Sequence, residues 1–221
     1  MKKAIYFTLG LIILSFLTNA GNPDSGKGFL LAPLNKDGKC FDENTRVINV
    51  GIGLGYSYYS YNTGPGSSVN NLPTISVSYE QPWSKRFGPG LMGIGGYLAY
   101  KGSSWKQEYS DNLSTYKYKE VNNSFIIASR AMYHWDGLNS DKAEVYGGVI
   151  LGVRVATSHY TSEYGGNAAL YNSNSDNSSV SFDVAYSLVA GARYYFKPNI
   201  AVFGEASFGI SYLTIGLSFK L

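Results

Sequence analysis

Charge is scarce in this chain of 221 residues: Asp, Glu, Lys and Arg make up only 15%, against ~25% in an ordinary soluble protein. The small net charge, +3, offers no basic surface for nucleic acid. Cysteine is nearly absent. Cys40 stands alone, so an intrachain disulfide is impossible, and it lies too far along the chain to anchor a lipoprotein. With one Cys and two His, no metal-ligand cluster can be assembled by spacing. Long apolar runs are missing too, apart from Ala4 to Leu17, and that run of about 14 residues is short of the ~20 needed to cross a bilayer as a helix.

That single run has another reading. Lys2 and Lys3 precede it and the small-residue site Thr18-Asn19-Ala20 follows it, the layout of an export signal. We expect cleavage after Ala20, making residues 1–20 a signal peptide. Its removal takes two lysines and no acid, leaving a net charge of +1 (+3 less 2). Residues 21–44 hold Gly, Pro, Asn, Asp and Lys with little periodicity and read as a flexible periplasmic lead-in.

What the chain has in abundance is Tyr (20), Phe (11) and Gly (26), residues that favour pleated surfaces or disfavour helices. From Thr45 the pattern has period two, the side-chain period of a strand. Ile48, Val50, Ile52, Leu54, Tyr56 and Tyr58 alternate with Asn49, Gly51, Gly53, Gly55 and Ser57. Seven further segments repeat the arrangement, around 74–80, 92–101, 124–135, 144–155, 182–196, 200–208 and 213–221. Long polar links (61–71, 102–120, 161–178) and a tight turn at Gly209-Ile210 alternate with short links (83–90, 136–142, 197–198). Eight strands with this asymmetry predict an all-β fold, an eight-stranded antiparallel up-and-down transmembrane β-barrel over residues 45–221, with both termini periplasmic.

The distribution of polarity separates a membrane barrel from a soluble one. A soluble barrel fills its interior with bulky apolar groups and turns charge outward. Here one face is large and apolar, and the other is glycine, serine and a few charges. Trp83, Phe87, Tyr133, Trp135, Tyr194 and Phe196 near the short links, and Tyr56, Tyr58, Tyr100 and Trp105 near the long ones, resemble two interfacial girdles. The glycine runs Gly51-Ile52-Gly53-Leu54-Gly55 and Gly93-Ile94-Gly95-Gly96 lack the following helix and lysine of a nucleotide loop and read as barrel wall.

The polar face carries Glu80, Glu144, Asp183 and Glu205 against Arg130, Arg154, Arg193 and Lys220, a charge-balanced set expected to form a structural ion-pair network in the lumen. Directly opposed residues of antiparallel neighbours have position numbers of constant sum. Glu144 with Arg193 and Arg154 with Asp183 both give 337, so one register would join both pairs. Buried charges need partners, and such a filling predicts negligible conductance in planar bilayers.

Arg130-Ala131-Met132-Tyr133-His134-Trp135, Asp141-Lys142, Val145-Tyr146-Gly147-Gly148, Phe203-Gly204-Glu205 and the terminal Leu213 to Leu221 resemble segments of the OmpA/OmpX-type outer membrane protein β-barrel domain family, a resemblance covering residues 45–221. It departs at the terminus, where the family's usual aromatic is Leu221, with Phe219 two positions earlier. The resemblance implies an integral outer-membrane protein with a structural or interaction role, in contact with outer-membrane lipid and lipopolysaccharide and inserted by the barrel-assembly machinery. An envelope protein partner is possible, as an accessory subunit of a larger assembly would require; no enzyme activity, cofactor or metal is expected. The competing enzymatic reading is a lipid A-modifying hydrolase built on His159 with a nearby hydroxyl and Glu163, but Thr161 stands where the family's serine would be. His134, on the inward face, is expected to be a hydrogen-bonded structural residue. Residues 102–120 interleave lysines, acids and aromatics, which suits contact with protein or glycan and equally a strand pair extended above the membrane.

Overall fold

A computed structural model describes residues 39–55, 66–83, 86–110, 114–166 and 175–221. The predicted signal peptide, most of the lead-in, Tyr56 and Tyr58 lie outside the described residues. No helix among the described residues is long and apolar enough to cross a membrane.

Alternation of large apolar with small or polar residues produces strands β1 (Val47–Leu54), β3 (Thr74–Pro82), β4 (Gly90–Ser110), β5 (Ser114–Trp135), β6 (Ala143–Gly166), β7 (Ser175–Lys197), β8 (Ile200–Phe208) and β9 (Leu213–Lys220). These eight form a closed antiparallel ring in which each pairs with its chain neighbours and β9 returns to β1. Closure leaves no open edge in the wall, where an unsatisfied backbone group would cost several kcal/mol in lipid. A short ninth strand, β2 (Ser67–Asn71), pairs among the described residues with the upper part of β4.

The ladder registers fix the barrel's shear. A row followed from Val50 passes through Val77, Leu98, Ile127 and Val153 to Val184 of β7. Followed the other way, through Leu217 and Val202, it reaches Tyr194 of the same strand. The circuit fails to close by ten residues (184 to 194), which goes with a strand tilt of about 40°.

Burial follows the pleat. In β1, Val47, Asn49, Gly51 and Gly53 are buried, while Val50, Ile52 and Leu54 are exposed. Leu151, Val184 and Leu188 are 60%, 72% and 61% exposed, values tolerable only if lipid covers them. The interior is not purely polar. Leu91, Ile126, Met132, Ile150 and Phe203 also point inward and are buried. Phe203 finds room because Gly51 and Gly216 sit beneath its ring, where any Cβ would collide with it.

Three segments sharpen or correct the sequence reading. Residues 102–120 take the strand-pair alternative, with β4 and β5 running to Ser110 and Ser114, and the link 161–178 is largely strand, with β6 and β7 running to Gly166 and Ser175. Above the apolar wall both sheet faces are wet, so alternation no longer marks a lipid face although the ladder continues. The third is the end of the lead-in. Cys40 and Phe41 are buried, Lys39 pairs with Asp136 at 3.5 Å, and the Cys40 thiol donates to the Ser140 carbonyl at 3.3 Å. Asp136 and Leu138 bound a 3-10 turn between β5 and β6, so residues 39–41 lie across the barrel end formed by the short turns. Burial pushes the Cys40 thiol up to about 12, with Glu144 nearby adding to the effect, and keeps it a thiol at neutral pH.

The two barrel ends are unlike. At the short-turn end the strands stop at the links. At the other end β8 and β9 stop at a turn containing Gly209, whose φ of 131° favours glycine and whose missing side chain lets β7 pass at Tyr186 and Ser187. Strands β4 to β7 continue well beyond it, joined by β2, as a protruding sheet.

Candidate functional site

The lumen holds a continuous polar chain built from alternate positions of seven strands. Arg130 of β5 donates two hydrogen bonds to Glu205 of β8, at 2.6 and 3.3 Å, and one to Glu80 of β3 at 3.4 Å. Glu205 also accepts from the Tyr146 hydroxyl at 2.8 Å. Glu80 closes on His134, whose other ring nitrogen lies 3.4 Å from Glu144. Glu144 pairs with Arg193 of β7, which donates further to Ser218 at 3.0 Å and Asn49 at 3.2 Å. The Tyr146 ring lies between the two guanidinium groups, 5.6 Å from Arg130 and 5.0 Å from Arg193. All of these charged side chains are buried.

Two sequence-selected pairs lie directly opposite each other: Glu144 faces Arg193 and Arg154 faces Asp183 in the β6–β7 ladder. The second pair is close, 2.7 Å, but stands apart at the barrel mouth, with Asp183 45% exposed. Lys220 is not in the ion-pair chain. It lies near the short-turn end, and its long stem sets the ammonium over the Tyr195 ring at 4.1 Å. Four residues of the chain were not in the selected set: His134, Asn49, Tyr146 and Ser218. All have the inward parity of their strands, which was the available signal. The neutral ones carry no charge to mark them.

At the short-turn end, beyond His134, the lumen ends in an aromatic stack. The Phe41 ring lies 3.7 Å from the imidazole and within 8° of parallel, so the lead-in supplies the final layer of the filling.

His159 belongs to the opposite, outward parity and is exposed. Its Nδ1 lies 2.9 Å from the Ser178 hydroxyl and 3.5 Å from Asp176, and its Nε2 lies 3.4 Å from Thr161. Glu163 is not among these neighbours; it opposes Lys117 two rows further out. Trp105 also differs from expectation. It shares the inward parity of Lys101 and Ser103 and so is not part of an outward girdle, whereas Trp83 and Phe87 at the other end are 68% and 75% exposed. Among the described residues no group of three His, Cys, Asp or Glu is placed to hold a metal ion.

No protein-family model matches the chain, and no curated protein matches it. Solved structures do. The attachment invasion locus protein Ail of Yersinia pestis matches with a TM-score of 0.34 and 11% identity, covering 80% of this chain and 93% of that one. The N-terminal β-barrel domain of Pseudomonas aeruginosa OprF matches with a TM-score of 0.38 and 15% identity, covering 81% and 98%. The closed ring of eight strands, its exposed apolar wall and its buried polar lumen make this chain an eight-stranded antiparallel β-barrel with the polarity of one that spans a membrane.

Proposed function

We propose that the protein is a non-conducting outer-membrane barrel that displays an interaction surface outside the cell, with both termini periplasmic. One observation carries this reading. Among the described residues, the β7 ladder with β8 ends at Leu188, while its ladder with β6 continues out to Ser175. A long strand edge is an acceptor site for an extended segment of another protein, since it supplies main-chain donors and acceptors in register. The filled lumen argues against a pore and leaves the protruding sheet as the part free to act.

Photocrosslinking in intact cells, from a probe replacing Ser179, tests this. A discrete protein adduct is expected, lost when the edge is blocked by Val180→Pro, which removes a main-chain N–H that faces away from β6. Absence of any protein adduct would overturn the edge as an interaction site. The accessory-subunit reading draws on the lead-in, whose residues 39–41 are held at the short-turn end and would direct the preceding chain to a periplasmic partner.

A further inference from the structure

The two faces of the protruding sheet are chemically unlike. The outward face carries Lys106, Glu108, Lys117, Lys119 and Glu163, with Lys117 3.8 Å from Glu108 and directly opposite Glu163. The other face continues the lumen side of the strands and carries the aromatics: Trp105, Tyr109, Tyr116, Tyr118, Tyr160 and Tyr164. One charge stands among these rings, the carboxylate of Glu120.

Glu120 opposes Trp105 of β4 on one side and Tyr160 of β6 on the other. Tyr118 lies two residues along β5 on the same face. Its ring centroid is 6.4 Å from that of Tyr160, with the ring planes 28° apart. Rings from three strands thus border one carboxylate, and all four side chains are half-buried. Cross-strand aromatic pairs stabilise a sheet by themselves, but they have no need of an acid between them.

The carboxylate is held in position. Asn122 Nδ2 donates to its Oε1 at 2.9 Å, and Ser158 Oγ donates to the same oxygen at 3.3 Å. Among the described residues no lysine or arginine lies within 4 Å of it, whereas Glu108 on the other face has Lys117 and Asp183 at the mouth has Arg154. A fixed negative charge bordered by aromatic faces attracts a cation through both.

The class of cation follows from what these side chains can supply. Lysine and arginine groups bring several N–H donors, but the polar neighbours here, Asn122 and Ser158, already act as donors to Glu120. Calcium takes about six to eight oxygen ligands, and no three acidic, His or Cys side chains converge among the described residues. A quaternary ammonium has no N–H to satisfy and presents methyl groups to the rings.

We propose that Trp105, Tyr118, Tyr160 and Glu120 form a site for a quaternary ammonium cation of the choline class, carried on a soluble ligand. That the site faces the cell exterior rests on the orientation given above; the binding itself does not, nor does it need the β7 edge.

The test uses the full chain folded in a sugar-headed detergent, which brings no quaternary ammonium of its own. Binding is followed by saturation-transfer NMR on the ligand methyl protons. Choline and tetramethylammonium should bind saturably, and the neutral alcohol in which carbon replaces the choline nitrogen should bind about fivefold more weakly or worse. Glu120→Gln and Tyr160→Leu should each weaken choline binding by a similar factor. Tyr160→Phe, which keeps the ring, and Tyr116→Leu, on the same face but away from Glu120, should change it less than twofold. Heat-modifiable mobility on gels confirms that each variant is folded. Equal binding of the neutral alcohol by the unaltered protein would overturn the site, as would indifference to Glu120→Gln. Capture of phosphatidylcholine vesicles without any response to free choline would also overturn it, since that outcome means a membrane contact. Choline binding in detergent is independent of protein capture at the β7 edge, so the two readings fail separately.

Discussion

Replacing Arg130 by Met should destabilise the folded barrel by about 3–5 kcal/mol, because it leaves two buried carboxylates without their cation. Glu80 and Glu205 both turn to the Arg130 guanidinium, and Glu205 receives two of its hydrogen bonds. Removing one partner of a buried pair costs more than the pair itself contributes, since the remaining charge stays desolvated. The second change Glu205→Gln should therefore recover part of the loss. Denaturant unfolding in detergent, followed by tryptophan fluorescence, measures both. A loss under 1 kcal/mol for Arg130→Met would mean that water reaches these carboxylates and that the lumen is open. The unaltered protein should correspondingly show no stable channel in planar bilayers.

The wall gives the second large effect. Leu217 faces outward between Val50 and Val202 near mid-height, where a bilayer around the wall would cover its exposed side with lipid tails. Leu217→Arg should cost about 2–4 kcal/mol, as cations do near the midplane of a membrane barrel, falling toward zero at the interfaces. Arginine in place of Tyr194, lower on the same wall and 51% exposed, should cost much less. Equal costs at the two positions would be inconsistent with a bilayer around the wall. Folding yield into liposomes and unfolding free energy report the difference.

Much of this architecture was legible before any coordinates. The period-two pattern placed eight wall strands and assigned their faces, because lipid on one side and a narrow lumen on the other impose opposite demands on adjacent residues. The constant sum of 337 gave the β6–β7 register, since misplaced charges in a low-dielectric wall are expensive. Where the demand slackens, the reading slackened with it. Tyr116 and Tyr118 alternate with Lys117 and Lys119 as regularly as any wall strand, yet with both faces wet the pattern suits a contact loop as well as a strand pair. Inward Ile126, Met132, Ile150 and Phe203 are apolar like the wall residues and so carry no sequence mark of a lumen position, while the interior mixes apolar layers with the ion-pair chain. Phe41 had no local signal. Its position over His134 is a tertiary contact between a non-periodic segment and a strand nearly a hundred residues away. Lys220 had the expected parity but a different partner, because a lysine stem is long enough to choose an aromatic ring over a carboxylate.

The central claim is that consecutive residues of one strand see lipid and lumen in turn. Nitroxide labels placed singly along β9 at Leu213, Thr214, Ile215, Leu217 and Ser218, in protein reconstituted into liposomes, test it most directly through accessibility to oxygen and to a water-soluble nickel complex. Labels at 213, 215 and 217 should be oxygen-accessible and nickel-protected, with oxygen access greatest at the position nearest the bilayer centre. Labels at 214 and 218 should be restricted toward both reagents, as expected inside a packed lumen. Uniform accessibility along the strand, or nickel access at 215 and 217, would contradict a lipid-embedded barrel.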